Sequence, residues 1–281
     1  MERKPKWLRQ ERLPIGDKAS SVLSAIRELK LKTVCTEASC PNKGKCFAEG
    51  TATFLILGPS CTRNCGFCNI DNGKVFPEDP EEPFRVAEAA RKMGLNFVVI
   101  TSVTRDDLPD RGAGAFAKTI REVRKSLPGA KVEVLTPDLD GSRELLKIVL
   151  DEKPDVFNHN IETVRRLTPA IRSNADYERS LSLLRMAKEI SPVQVTKSGL
   201  IVGLGEEKEE LFETFRDLAA AAVDRLTIGQ YLAPSLRHLP VARYYEPGEF
   251  NDLRERALEA GVKAVLSGPF VRSSFHASGF E

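Results

Sequence analysis

Hydrophobic periodicity switches repeatedly along this chain, and that alternation leaves few architectures open to it. Short β-rich runs occur at 53–57 (TFLIL), 97–101 (FVVIT), 131–135 (KVEVL), 155–158 (DVFN), 193–202 (VQVTKSGLIV) and 225–230 (RLTIGQ). Each is followed by a stretch able to form a helix. Phe116, Ile120, Val123 and Leu127 share one helical face, Leu211, Phe215, Leu218 and Ala222 a second, and Phe250, Leu253, Ala257 and Ala260 a third. Strands alternating with helices, without a hairpin signal, predict parallel βα units in an α/β fold. No GxGxxG follows the first run, and GLGE at 203–206 is too short to replace it, so an open nucleotide-binding sheet loses its best support. Polar residues gather where the runs end: Thr101 and Ser102, Asn158 to Asn160, Lys197 and Ser198, Gln230 and Tyr231. A βα barrel builds its active site at those ends. Both observations favour a barrel-like sheet over an open doubly wound one.

The 281 residues, 41% of them hydrophobic and 29% charged, suffice for one sizeable core and exclude disorder as the main state. No apolar run approaches the roughly 18 residues of a membrane span. The opening MERKPKWLRQERLPIG lacks the apolar stretch of a signal peptide, so a cytoplasmic protein with no membrane partner is expected. A net charge of +2 gives no sign of nucleic-acid binding. Residues 1–33 are less balanced, with nine basic residues, Arg3, Arg9 and Arg12 among them, against four acidic ones. Such an arm either docks an acidic partner or is a solvated terminus.

All six cysteines lie between Cys35 and Cys68. In a reducing compartment such clustering points to metal ligands or redox thiols before disulfides. Three of them, Cys61, Cys65 and Cys68, form CxxxCxxC inside a segment, 58–82, far longer than the usual βα loop. Three thiolates on one loop can hold three irons of a [4Fe-4S] cluster and leave the fourth iron open. Structural zinc wants a fourth Cys or His nearby, and His159, His238 and His276 all lie far along the chain. A thioredoxin-type reading of Cys65-Gly-Phe-Cys68 leaves Cys61 unexplained. The other three, Cys35, Cys40 and Cys46, form CxxxxCxxxxxC in a stretch interrupted by Pro41, Gly44 and Gly50, where no regular element is expected. Taken alone, that triplet fits zinc, iron–sulfur or unrelated thiols.

CxxxCxxC with an aromatic before its last cysteine, just after the first strand of a βα series, resembles the radical S-adenosylmethionine superfamily. Preceded by CxxxxCxxxxxC and GTATFLILG, it resembles the lipoyl synthase family in particular. The likeness continues in KPKWLRQERLP at 4–14, TSVTRDDLPDRGA at 101–113, FNHNIETV at 157–164, KSGLIVGLGE at 197–206, TIGQYLAPS at 227–235 and VRSSFHA at 271–277. The resemblance implies a partial parallel (β/α)6 barrel of the radical SAM type at 53–235, an N-terminal extension at 1–52 and a C-terminal extension at 236–281.

It also implies the chemistry. Members of that family insert two sulfur atoms, at C6 and C8, into an octanoyl chain amide-linked to a lysine of a carrier protein. By resemblance Cys61, Cys65 and Cys68 hold the cluster that cleaves S-adenosylmethionine, while Cys35, Cys40 and Cys46 hold an auxiliary [4Fe-4S] cluster that donates the sulfur. The auxiliary cluster's fourth ligand is a serine of an RSSYxA-like motif, here Ser274, with Ser273 the fallback. An oxygen ligand, harder than thiolate, suits a cluster that is dismantled. Phe275 stands where the family usually has Tyr, so one hydroxyl is missing from the anchorage of that tail.

For S-adenosylmethionine the expected contacts are Phe67 against adenine, Asn158, Asn160 and Glu162 for ribose and methionine, and Lys197 and Ser198 for the carboxylate. Phe67 serves equally as a packing residue and His159 as a structural one. No catalytic side chain is expected, because hydrogen abstraction by the deoxyadenosyl radical needs no protein base. Implied partners are the octanoylated carrier domain, steered by the basic arm with Trp7 over the tunnel mouth, a low-potential electron donor such as ferredoxin or flavodoxin, and an iron–sulfur assembly or carrier protein. Two other readings are another radical S-adenosylmethionine sulfur-transferase and a zinc-stabilised binding protein.

Overall fold

A computed structural model describes residues 4–9, 16–49 and 51–275, so Arg3, Arg12, Gly50 and His276, named above, lie outside the described residues. Eight strands follow one another in the sheet in chain order. They are β1 (Lys32–Thr33), β2 (Thr53–Ile56), β3 (Phe97–Ser102), β4 (Lys131–Leu135), β5 (Val156–Asn158), β6 (Val195–Val202), β7 (Arg225–Gln230) and β8 (Ala264–Gly268). The ten α-helices among the described residues are α1 (Asp17–Glu28), α2 (Val34–Glu37), α3 (Lys43–Ala48), α4 (Glu82–Lys92), α5 (Ala113–Ser126), α6 (Arg143–Leu150), α7 (Thr168–Ile171), α8 (Tyr177–Ile190), α9 (Lys208–Ala220) and α10 (Pro247–Glu259).

All six expected strands are present, and α5, α9 and α10 bury the first three residues of each expected apolar face, while Leu127, Ala222 and Ala260 fall just past the helix ends and Ala222, at φ +57°, is exposed. Two strands escape the sequence reading. Two-residue β1 is too short for a periodic signal, and the β8 segment, AVLSG, alternates weakly. The stretch around Cys35 to Cys46 also differs from expectation, since it forms α2 and α3. Helices this short show no recurrence of apolar positions, but Thr33 announces the first: its hydroxyl accepts the Thr36 N–H at 3.3 Å, an N-cap. Pro41 falls between the two helices.

The chain divides into two compact units. One comprises 11–63 and 69–157, and the other 1–10, 64–68 and 158–281. In the first, β1 pairs antiparallel with β2, and β2–β3 and β3–β4 pair parallel. Every residue of β2 is buried, as expected of a parallel strand covered on both faces. Helix α1 places Ala19, Val22 and Ile26 on one face, and these pack with Cys35, Phe47 and Ala52 into a small cluster of their own. Leu57, just past β2, adopts φ +69°, a left-handed conformation that is costly for a leucine. Its N–H is held by the Glu82 carboxylate of α4 at 2.7 Å, which turns the chain out of the strand and into the long cysteine loop.

In the second unit β6–β7 and β7–β8 pair parallel. The GLGE segment is a structural turn: the buried Glu206 carboxylate accepts the N–H groups of Gly203 and Leu204 at 2.6 and 2.9 Å and the Tyr245 hydroxyl at 2.9 Å. Gln230, fully buried at the end of β7, donates to the carbonyls of Val202 and Arg243 and accepts the Tyr245 N–H. The N-terminal stretch is fastened here too, with Leu8 fully buried and Trp7 Nε1 donating to the Tyr245 carbonyl at 3.3 Å.

Candidate active site

All six cysteines are free thiols. Cys35 opens α2 buried, Cys40 lies between the two helices, and Cys46 lies in α3 beside buried Phe47. Burial raises the Cys35 thiol, and neighbouring Cys40 adds to the rise. Burial pushes Cys46 up to about 12, and Cys35 and Cys40 add to it. The fold therefore brings the first triplet close enough for Cys40 to oppose ionisation of both Cys35 and Cys46, and for Cys35 to oppose that of Cys46. A multiply charged cationic centre reverses that repulsion, so the donor set fits an iron–sulfur cluster. Among the described residues no three His, Cys, Asp or Glu side chains converge as ligands of one metal ion. A four-iron cube is larger than one ion, and its thiolates bind separate irons.

The CxxxCxxC loop is held at both ends. In the first unit, Cys61 N–H donates to the Asp71 carbonyl at 2.7 Å, and the N–H groups of Arg63 and Thr104 point at the Cys61 sulfur from 3.4 and 3.3 Å. In the second unit, Gly66 N–H donates to Ile171 O at 2.9 Å, and Leu239 N–H donates to Gly66 O at 3.1 Å. A Cβ on Gly66 would stand 2.7 Å from the Leu239 side chain, which would have to shift to admit it. His238 Nε2 lies 3.1 Å from the Cys68 carbonyl, which can only accept, so Nε2 is the donor and Nδ1 takes the Ser235 hydroxyl proton at 2.9 Å.

The six residues expected to contact S-adenosylmethionine all lie in the second unit, and three of them share one network. Asn158 Nδ2 donates to Ser273 Oγ at 2.9 Å, Ser273 Oγ donates to Asn160 Oδ1 at 2.8 Å, and Asn160 Nδ2 donates to Glu162 Oε1 at 3.0 Å. Glu162 sits at φ +65°, and burial pushes its carboxyl up, outweighing Arg172 and Asn160. Gly199 of β6 admits Asn160, since a Cβ there would lie 2.7 Å from Asn160 Oδ1. Lys197 is fully buried. Ser198, also buried, accepts the Ile161 N–H at 3.0 Å and keeps its own proton to donate. Phe67 is half-buried. His159 lies outside the network, buried against the Ser180 hydroxyl at 3.0 Å, in the structural role open to it.

In the first unit the Ser102 hydroxyl, at the C-terminal end of β3, is buried without a partner among the described residues, a capacity that a ligand at the strand ends would use. An open pocket of about 250 Å³ in the second unit is lined by Lys4, Leu232, Ser235, Val241 and Tyr244 among others. The bracing roles of Arg63, His238 and Leu239 are missing from the sequence reading. Only Arg63, inside the CxxxC spacing, stood where a signal could have been sought.

Residues 55–218 match the model of the Radical SAM superfamily. The structure resembles that of Streptococcus suis SuiB bound to S-adenosylmethionine, with a TM-score of 0.58, 15% identity and coverage of 78% of this chain and 51% of that one; the chain spans about half of SuiB and shares its fold. Fold, match and cysteine loop together define a radical S-adenosylmethionine enzyme. Lipoyl synthase of Rubrobacter xylanophilus is 56% identical over 274 residues, covering 98% of this chain and 85% of the relative. That of Caldanaerobacter subterraneus subsp. tengcongensis is 53% identical over 275 residues, covering 98% and 96%. Within the superfamily, this chain belongs to the lipoyl synthase family, whose members are sulfurtransferases.

Proposed function

We propose that this enzyme inserts two sulfur atoms, at C6 and C8, into an octanoyl chain carried on a lysine of a partner protein. One observation carries the reading: the chain has two separate triplets of free thiols, Cys61, Cys65 and Cys68 on the loop after β2, and Cys35, Cys40 and Cys46 around α2 and α3. A single radical-generating site needs only one such triplet. When bound, the cluster on the loop supplies an electron to cleave S-adenosylmethionine, and the other cluster is a sulfur-donating co-substrate.

The protein's own residues bind and orient. Cys61, Cys65 and Cys68 ligate the first cluster, and Cys35, Cys40, Cys46 and Ser274 the second. Phe67, Asn158, Asn160, Glu162, Lys197 and Ser198 receive S-adenosylmethionine. The Asn158–Ser273–Asn160–Glu162 chain supports that role, because it pre-aligns polar groups that would otherwise be reoriented on binding. Functionally, 1–52 and 236–281 supply the sulfur-donor site, and 53–235 the radical-generating core. Partners follow from the reaction: an octanoylated carrier domain, a low-potential electron donor such as ferredoxin or flavodoxin, and an iron–sulfur assembly or carrier protein, all in the cytoplasm. Among the described residues no helix is long and apolar enough to cross a membrane.

The test is anaerobic reconstitution with iron and sulfide counting, then incubation with octanoylated carrier peptide, S-adenosylmethionine and a low-potential reductant. About eight irons per chain and a peptide carrying two added sulfurs are expected. Cleavage of S-adenosylmethionine without sulfuration moves the substrate elsewhere, and zinc without sulfide overturns the reading.

A further inference from the structure

Arg63 and the TSVTRDDLPDRGA segment at 101–113 have no part in the proposed reaction, yet in the first unit they form one construction. Arg63, 8% exposed, spreads its guanidinium across two carboxylates. Nε and Nη2 donate to Asp106 at 2.9 and 2.8 Å, while Nη1 and Nη2 donate to the two oxygens of Asp138, each at 2.8 Å. Asp138 is 1% exposed. The Thr62 hydroxyl accepts the Asp106 N–H at 3.0 Å, and Thr62 N–H donates to the Thr104 carbonyl at 3.0 Å. Arg111 adds a further hydrogen bond to the Asp106 carbonyl. The loop from Cys61 to Arg63 is thus bound to the loop after β3 and to Asp138 beyond β4. At the centre of the construction, the N–H groups of Arg63 and Thr104 converge on the Cys61 sulfur.

The buried Arg63–Asp138 pair, with half-buried Asp106 beside it, is a poor choice for stability alone, since well-packed apolar residues commonly serve as well or better. What it provides is direction, because a guanidinium held by two bidentate carboxylates has little freedom to rotate. We infer that Arg63, gripped by Asp106 and Asp138, is a positioning residue that aims two backbone N–H groups at the Cys61 sulfur and thereby sets the reduction potential of the cluster bound there. This inference rests on the proposal that Cys61 is a cluster ligand. Hydrogen bonds to ligand sulfur are a recognised control of cluster potential. They favour the more negative, reduced state, so weakening them makes the cluster harder to reduce.

Arg63→Lys and Asp138→Glu test this, because both keep the charge and change only the geometry. The expected result is normal iron and sulfide content in the reconstituted enzyme, with the midpoint potential of the S-adenosylmethionine-binding cluster shifted to more negative values in both variants. An unchanged potential overturns the inference. A second measurement needs no cluster: in the apoprotein, hydrogen exchange of the Arg63 and Thr104 amides, read by NMR against those of β7, should quicken by more than about tenfold. Unchanged exchange also overturns it. If the unsubstituted protein binds no cluster through Cys61, the ligand assignment falls and the inference with it, even where the exchange rates respond.

Discussion

Ser273 and Ser274 are adjacent in the chain and differ in what their hydroxyls do. Ser273 accepts from Asn158 and donates to Asn160, so its hydroxyl is committed to the network proposed to receive S-adenosylmethionine. Ser274 is half-buried, and among the described residues its hydroxyl has no partner, which leaves its oxygen available as a ligand. The two alanine substitutions should therefore separate. Ser274→Ala should abolish sulfur insertion while 5′-deoxyadenosine is still released. Ser273→Ala should weaken S-adenosylmethionine binding by about tenfold, the effect of about 1–3 kcal/mol from stranding a buried polar partner, and isothermal titration of the anaerobic holoenzyme measures it. Spacing alone could not choose between two neighbouring serines, because both fit the motif and only their hydrogen-bond partners differ. The six cysteines, by contrast, were legible from the start, since thiols crowded into so short a stretch point to metal or redox chemistry by their spacing.

At the scale of elements, one glycine and one phenylalanine decide where the proposed ligands stand. A Cβ on Gly229 in β7 would lie 2.0 Å from the Val271 carbonyl oxygen, so the Val271 to Ser274 tail can cross the strand only because this residue has no side chain. Gly229→Ala should displace that tail, cutting sulfuration of octanoyl peptide by about a hundredfold, a scale known for misplacements of about 1 Å, while the α-helical circular dichroism of the protein stays unchanged. In α3, Phe47 is 2% exposed beside Cys46 and packs with Val22, Ile26 and Cys35. Phe47→Ala should cost about 3–5 kcal/mol by leaving a cavity. Urea unfolding followed by circular dichroism measures that loss, and iron counting should show the Cys35–Cys40–Cys46 site emptied first. Neither role was visible in sequence, where Gly229 is one small residue within a strand run and Phe47 belongs to a helix too short to show a period.

For the molecule as a whole, charge sets two expected behaviours. Burial pushes the Asp224 carboxyl up, but Lys188, Lys263 and the Thr196 N–H outweigh it and hold it below the usual 3.8. A carboxyl depressed on folding adds stability that is complete above pH 3.8 and lost as the pH falls through its lower folded value. Asp224→Asn should therefore be less stable at neutral pH and flatten the fall in thermal midpoint below pH 3.8, as scanning calorimetry from pH 7 downward would show. At the N-terminus, Arg9→Glu with Arg12→Glu should weaken carrier binding by about tenfold at low salt and much less at high salt; surface plasmon resonance across ionic strengths that finds no salt-dependent change removes the basic arm from docking. The sequence by itself determined the alternation of strands and helices, the long loop after the first core strand and the two thiol triplets, because periodicity and spacing are local properties written in consecutive residues. Only the tertiary structure decided that Arg63 meets Asp106 and Asp138, that His238 braces Cys68, and that Ser273 joins Asn158 to Asn160. Those partners lie from 43 to 170 residues apart. Which of many charged or polar side chains converge over such separations depends on how the strands bring their loops together, and no local pattern encodes that.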